Sequence, residues 1–525
     1  MMKISKKSLS LLSGSSGSCL SKAKFGLERE TLRVDSKGKI SKNPHPISLG
    51  SALTHPLIKT DFAEPQLEYV TKAHRDIRET LKELELLHAY TVLRNPSELL
   101  WPFSMPSILP EGDKIPLAQY GSSSEGRKKT IYRRGLGNRY GRTMQTVSGV
   151  HFNFSFDNCL LEILSEVRYK KSLSKATRSK IYFDTIRNFN RLSPTLIYLF
   201  GSSSIVDETY SLVHEIPHKS WKKRSFWSPK ATSLRLSKIG YTSKVQKKFH
   251  IDTNSLEEYA KSMYRAVSLT YTGYSQYSLK PESQLNDHYL QLENEYYSLV
   301  RPKQVPKGEE RVLEALMDRG VEYLEIRLLD NNPFHPTGVD IHSLYFLHSL
   351  LLLCLLAESS PTSKTEYVGH KKNQEKVSLN GRNKGIFILL EKERIPLLEL
   401  LNFVLEEVKP IAHFLAGQYE NEDYIIAYEM AKLRSKDENS LLTSQIEKKL
   451  EMQGREFVDL GLNLAREHFD SLQAYQWKDR EISYLNHLSE SSLFEQKQIE
   501  NEEGSHDKKN QKPIILKPVN LLFGA

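Results

Sequence analysis

The sequence predicts an α+β protein whose core is an antiparallel or mixed sheet. Strand-like alternation is concentrated before about residue 330, and helical apolar periodicity dominates after it. No internal repeat and no regular strand–helix–strand succession is visible, which argues against a parallel, doubly wound fold. The C-terminal third is therefore read as helix-rich.

The first strand covers residues 25–34, with Glu28 and Glu30 on one face and Leu27 on the other. Side chains two apart on a strand point the same way. Ser36-Lys37-Gly38-Lys39 then predicts a turn returning through Ile40. A loop holding Pro44, His45 and Pro46 leads through 57–62, which contains Asp61, to a second strand at 66–70 with Glu68 between Leu67 and Tyr69. Ile77, Leu81, Leu84, Leu87 and Thr91 recur at helical spacing. Pro102, Pro106 and Pro110 make the next segment irregular.

Residues 121–142 hold seven Lys or Arg (127, 128, 129, 133, 134, 139 and 142) against Glu125 alone, punctuated by five glycines. Such glycine density predicts a mobile loop or broken helix. A third strand follows at 149–156, where Val150, Phe152, Phe154 and Phe156 alternate with His151, Asn153 and Ser155. Helical patterns occupy 185–199, 256–268, 340–357 and much of the chain beyond Pro396. A fourth strand at 321–329 sets Glu325 and Arg327 on one face and Leu324, Ile326 and Leu328 on the other. From Ser489 onward polar residues prevail, so 489–525 is expected to be a flexible tail.

The composition, 39% hydrophobic and 26% charged, is that of a globular protein. The most apolar run, 344–357, falls short of the roughly 20 residues a membrane span needs, and His348 and Ser349 interrupt it. It reads as a buried core helix. The apolar residues after Lys3, Lys6 and Lys7 are too few for a secretory signal. Cys19, Cys159 and Cys354 match neither a zinc spacing nor a disulfide framework, so a reducing, cytoplasmic setting is expected.

Glu28, Glu30, Asp61, Glu68 and Glu325, with His151, make an oxygen-rich ligand set suited to Mg²⁺ or Mn²⁺. An acidic sheet face repels itself unless cations sit on it. Two residues from Glu325, Arg327 either presents its fork to phosphate or carboxylate or pairs with that glutamate. Spacing alone does not make the four strands neighbours.

Several stretches together resemble the proteobacterial type of glutamate–cysteine ligase. These include Phe25-Gly26-Leu27-Glu28-Arg29-Glu30-Thr31-Leu32-Arg33-Val34, Gly50-Ser51-Ala52-Leu53-Thr54-His55 and Thr60-Asp61-Phe62-Ala63-Glu64 with Leu67-Glu68. Further matches are Leu117-Ala118-Gln119-Tyr120-Gly121, Met144-Gln145-Thr146 through His151, Thr232-Ser233-Leu234-Arg235-Leu236-Ser237, Arg301-Pro302-Lys303 and Asn332-Pro333-Phe334. The likeness runs in unchanged order over about 25–338 and is poor beyond about 360. Pro65 and Gln66 depart from the apolar run expected before Leu67, and Ser107 stands where some relatives carry cysteine.

The resemblance implies a glutamine synthetase-like fold: a curved antiparallel sheet with a polar concave face and helices packed outside, forming one catalytic domain over 20–488. It implies ATP-dependent ligation of the γ-carboxylate of L-glutamate to the amine of L-cysteine, the first step of glutathione synthesis. Glu28, Glu30, Asp61, Glu68, His151 and Glu325 fall on its metal positions. Tyr132, Arg133, Arg235, Tyr241, Tyr297 and Arg327 fall on its substrate-contacting positions, with Arg327 and Glu325 nearest the chemistry. ATP is the implied co-substrate, and the basic 121–142 segment is expected to close over its phosphates. No P-loop is present, so the nucleotide contacts are not located by motif.

One rival reading keeps the chemistry but replaces cysteine by another amine. A nucleic-acid-binding reading, through the basic stretch with Tyr120, Tyr132 and Tyr140, finds no recognised module to support it. Neither nucleic acid nor membrane is expected as a partner. Oligomeric state is left open, with a monomer as the default.

Overall fold

A computed structural model describes residues 18–19, 22–390, 392–504 and 519. The architecture is built around a seven-stranded sheet in the order β2-β3-β1-β5-β10-β9, with β4 paired to the end of β1. Its strands are β1 (Ala23–Val34), β2 (Ile58–Thr60), β3 (Gln66–Val70), β4 (Leu99–Leu100), β5 (Gly149–Phe156), β9 (Val300–Lys303) and β10 (Tyr323–Asp330). Every pairing is antiparallel. A small sheet of β6 (Ile205–Asp207), β7 (Lys219–Ser220) and β8 (Ser225–Trp227) and a hairpin of β11 (Phe387–Leu390) and β12 (Glu393–Pro396) stand apart from it.

The longer helices are α1 (Ile77–Arg94), α2 (Ser124–Tyr140), α3 (Asn158–Tyr169), α4 (Lys175–Phe200), α5 (Leu256–Ser268), α6 (Ile341–Leu356) and α7 (Lys364–Asn380). Five more close the chain: α8 (Leu397–Tyr419), α9 (Asp423–Lys436), α10 (Leu442–Gln453), α11 (Phe457–Gln473) and α12 (Asp479–Glu502). The predicted division into a strand-rich first part and a helical last third matches these elements.

Alternation divides the sheet as expected. Phe25, Leu27, Leu67, Phe152, Phe154, Leu324 and Ile326 are buried in one hydrophobic core shared with α4 and α6. All residues of α6 from Ser343 to Leu356 are buried, which explains why it is apolar on every side. No described helix is long and apolar enough to cross a membrane. The opposite sheet face carries the acidic residues. The turn at 36–39 is present, with Gly38 at φ +81° and an Asp35 N–H bond to the Lys39 carbonyl of 2.9 Å.

Three expectations are corrected. Residues 124–140 form one continuous helix, neither broken nor a loop. Its glycines serve close approach: a Cβ on Gly126 would lie 2.2 Å from the Tyr120 carbonyl oxygen, and one on Gly135 would lie 2.1 Å from Gln291. Residues 489–502 continue α12, with Ser489 and Ser492 buried, so the stretch expected as a tail from Ser489 is helical to Glu502. The segment 508–518 lies outside the described residues. Finally, Cys19 and Cys159 form a disulfide across 140 residues of sequence, with their Cα atoms 5.6 Å apart. The pairing of Ala23 with Phe156 brings the start of β1 beside the end of β5, and the two cysteines flank that junction. Cys354 is free and buried.

Candidate active site

Strand register assembles the acidic residues. On β1, Glu28 lies opposite His151 of β5, and Glu30 lies opposite Glu68 of β3. Glu325 of β10 faces Asn153 of β5 on one side and Arg301 of β9 on the other. Asp61 follows directly on β2, held by a bond from its N–H to the Gln66 carbonyl of 2.9 Å. The six residues fall into two groups of three, Glu28/His151/Glu325 and Glu30/Asp61/Glu68. In each group, one ligand atom from every residue lies within 4.8 Å of the others.

The two groups differ electrostatically. In Glu30/Asp61/Glu68, burial and the neighbouring carboxylates push the pKa values up: Glu30 rises to about 8 through burial and Asp61, and Glu68 stands well above its ordinary value. Burial also raises Asp61, against the pull of Arg133 and Arg327. Three carboxylates that raise one another are relieved by a cation between them. In the other group, burial would raise Glu325, but Lys303, Arg327 and Arg301 hold it well below the carboxylate range. Burial is also the largest influence on Glu28, but its hydrogen bond with His151 together with the charges of His151 and Lys303 outweighs it, so the carboxyl lies below its ordinary value. Burial and Arg327 lower His151 to about 4, so its ring is neutral at pH 7.

His151 Nδ1 lies 2.9 Å from Glu28 Oε2. A carboxylate can only accept, so the neutral ring carries its proton on Nδ1 and keeps a lone pair on Nε2. His151 Nε2 is buried without a hydrogen-bond partner, and Glu325 Oε2, also buried, meets only the ion-pair contacts of Arg327 and Arg301. An orphaned imidazole lone pair beside a hard oxygen set fits a divalent cation of the Mg²⁺ type.

Arg327 sits at a register shift in β10 between Ile326 and Leu329. Such a bulge re-aims a side chain. Its Nη1 lies 3.2 Å from Glu325 Oε2, so the ion pair considered from sequence is formed. Lys303 at 3.2 Å and Arg301 at 3.6 Å approach the same carboxylate. Arg301 and Lys303 belong to a stretch that matches the family but were not among the expected site residues, although their two-residue spacing puts both on one face of β9. Pro302 between them is tolerated because β9 is an edge strand.

A cavity of about 400 Å³ opens onto both groups and is lined by Tyr132, Arg133, Tyr241, Tyr297 and Arg327 as well. Tyr132 and Arg133 come from α2, and Arg133 Nε donates to the Asp61 carbonyl. Tyr241 Oη lies 3.0 Å from Glu30 Oε2. Gln145 Nε2 donates to Tyr297 Oη at 2.8 Å. Lys59, opposite Glu68 in the β2–β3 register, also lines the cavity and was missed from sequence.

Arg235 lies next to this cavity and is not part of its lining. It is buried behind this cavity, where Nη2 donates to the Arg327 carbonyl at 2.9 Å and Nη1 lies 3.8 Å from Asp330. It lines a neighbouring cavity of about 330 Å³ that shares Tyr241, Tyr297 and Arg327 with the first. A third cavity, of about 820 Å³, meets the carboxylate cavity at Glu28 and Val70. Phe154, Phe156, Leu161 and Tyr323 contribute to its walls, and Lys24, Arg75 and Arg178 to its charge.

The family model described as glutamate-cysteine ligase matches residues 9–377. The chain belongs to the glutamate–cysteine ligase family. The glutamate–cysteine ligase of Leptospira interrogans serogroup Icterohaemorrhagiae serovar Lai is 42% identical to it over 495 residues, covering 92% of this chain and 93% of the relative. That of Alcanivorax borkumensis is 35% identical over 494 residues, covering 93% and 94%. A crystal structure of the Francisella tularensis glutamate–cysteine ligase in complex with AMP superposes with a TM-score of 0.84 at 31% identity, over 91% of this chain and 94% of that one. The likeness to this family thus extends well past residue 360, beyond the stretch that carries the recognisable motifs.

Proposed function

We propose that this chain catalyses the ATP-dependent ligation of the γ-carboxylate of L-glutamate to the amine of L-cysteine through γ-glutamyl phosphate, the first step of glutathione biosynthesis. The observation that carries this reading is the pair of ligand triads around one cavity, with Arg327 between them, in a chain of this family. The proposed compartment is the cytoplasm, on the ground of the proposed chemistry and not of cysteine usage, since Cys19 and Cys159 are paired.

A carboxylate resists attack because it would have to expel oxide. Transfer of the γ-phosphoryl group of ATP to the glutamate carboxylate breaks the phosphoanhydride bond, releases ADP and creates a good leaving group. The cysteine amine then attacks the acyl carbon, loses a proton and expels phosphate. Two anions must meet, so charge and position dominate the barrier. Glu28, His151 and Glu325 would hold one divalent cation and Glu30, Asp61 and Glu68 another. Bound there, Mg²⁺ supplies charge neutralisation between the phosphates and the carboxylate.

Arg327, raised in pKa by Glu325 and Glu30 against its own burial, stays charged and presents its fork to the transferring phosphoryl group. Arg133 and the rings of Tyr132, Tyr241 and Tyr297 bind the amino acids and keep water from the acyl phosphate. The nucleotide is assigned to the 820 Å³ cavity, whose apolar walls suit a base and whose inner end reaches Glu28. Arg235 acts from behind by fixing the Arg327 backbone. ADP release that requires Mg²⁺, L-glutamate and L-cysteine together, with the γ-linked dipeptide as product, tests the reading. Equal or faster turnover with another amine in place of cysteine would favour a related carboxylate–amine ligase.

A further inference from the structure

The C-terminal helix lies beyond the segment matched by the family model, yet it reaches the elements that build the cavity. Glu500 Oε1 accepts the Ser122 N–H at 2.7 Å, and Glu503 Oε2 accepts the Ser124 N–H at 2.6 Å. Ser124 is the first residue of α2 and Ser122 precedes its N-cap, Ser123, which accepts from the Gly126 N–H at 3.2 Å. The first amides of a helix have no partner within it, and a carboxylate there also meets the positive end of the helix dipole. Gly121, at φ +83°, makes the approach possible: a Cβ there would lie 2.0 Å from Glu500 and 2.2 Å from Gln496.

The same helix clasps a second loop. Ser492 Oγ accepts the Ser51 N–H at 3.0 Å, and the Ser492 carbonyl accepts from Thr54 Oγ1 at 2.6 Å. Downstream of these contacts, Tyr120 Oη bonds the Thr60 carbonyl at 2.8 Å and the Asp61 carbonyl at 3.1 Å, and Arg133 stacks over the Tyr120 ring at 4.4 Å. A continuous set of bonds therefore runs from Glu500 and Glu503 through the start of α2 to Arg133 and the Asp61 backbone.

We infer that α12 is a positioning strap for the substrate-binding helix α2, with Glu500 and Glu503 as its positioning residues. They touch no reacting atom. They fix the entry of α2, and through it Tyr132, Arg133 and the loop that presents Asp61. This inference rests on the ligase reading for its kinetic arm only.

The test compares the full-length chain with the double variant Glu500→Ala/Glu503→Ala, and with Glu500→Gln/Glu503→Gln, which keeps an acceptor oxygen. Hydrogen exchange at residues 121–130 should speed about tenfold in the alanine variant and less in the glutamine variant. The KM for at least one amino-acid substrate should rise about fivefold in the alanine variant, with the KM for ATP unchanged and partial rescue by glutamine. Unchanged exchange, or faster exchange with every KM as in wild type, overturns the strap. A wild-type chain without ligase turnover instead overturns the ligase reading, and the exchange measurement alone then decides the strap.

Discussion

Glu30 and Glu68 stand directly opposite each other on β1 and β3, with Asp61 completing the group. Ionising both there is unfavourable: burial and the neighbouring carboxylates raise the pKa of each, Glu30 to about 8, so an uncharged amide is tolerated at position 68. Without a cation, Glu68→Gln is therefore expected to leave the melting temperature unchanged or to raise it. With millimolar Mg²⁺ the wild type should gain thermal stability by ligand linkage and the variant should gain less. Differential scanning with and without Mg²⁺ measures both; an equal gain in the two proteins would remove Glu68 from the ligand set.

Glu325 joins His151 and Glu28 and receives three cationic side chains. Glu325→Gln is expected to lower ligation by at least about 100-fold, because a charge that orders the whole group is lost. Circular dichroism should show the native fold retained. Near-normal turnover in this variant would exclude it from metal binding.

Arg33 and Glu98 form a buried ion pair of 2.6 Å, with side chains 1% and 6% exposed. Glu98 also accepts from Asn43 and Asn95 at 2.8 Å each. Removing one partner strands the other, so Glu98→Ala should cost about 3 kcal/mol of stability. Urea unfolding of wild type and variant gives the number.

His348 is buried in the core on α6, its Nδ1 2.8 Å from Tyr424 Oη, and burial lowers its pKa from 6.5 to about 3. The unfolded chain binds its proton near pH 6.5 and the folded one does not. This contribution to stability is whole above pH 6.5 and is lost as pH falls toward 3, with a slope of about 1.4 kcal/mol per pH unit. His348→Phe should reduce the acid slope of stability between pH 6.5 and 4 by about that amount. Denaturation at a series of pH values decides it.

Which residues face the polar side of the sheet was legible from alternation alone at Glu28, Glu30, Glu68, His151 and Glu325. Which of them meet was not, because nothing in residues 66–70 specifies that Glu68 pairs with Glu30 rather than a neighbour. Register belongs to long-range pairing. The helix at 124–140 was hidden by its glycines, whose cause is a contact with Tyr120 and Gln291 far away in sequence. The last helix was hidden by polarity: few of its residues are buried, and the serines that are, Ser489 and Ser492, look like surface residues in the sequence. Arg235 belongs to a motif legible in the sequence, but its bonds to the Arg327 carbonyl and Asp330, at the wall of the neighbouring cavity, depend on a strand nearly 100 residues away.

The wide sequence separation within the sheet has a consequence during synthesis. Strands β1 and β3 leave the ribosome long before β9 and β10, which carry Arg301, Lys303, Glu325 and Arg327, have been translated, so one side of the carboxylate face stays open until residue 330 has emerged. Translation must pass β10 before β5 gains its second partner strand and Glu325 completes its ligand group, so chains stalled earlier hold half of the site.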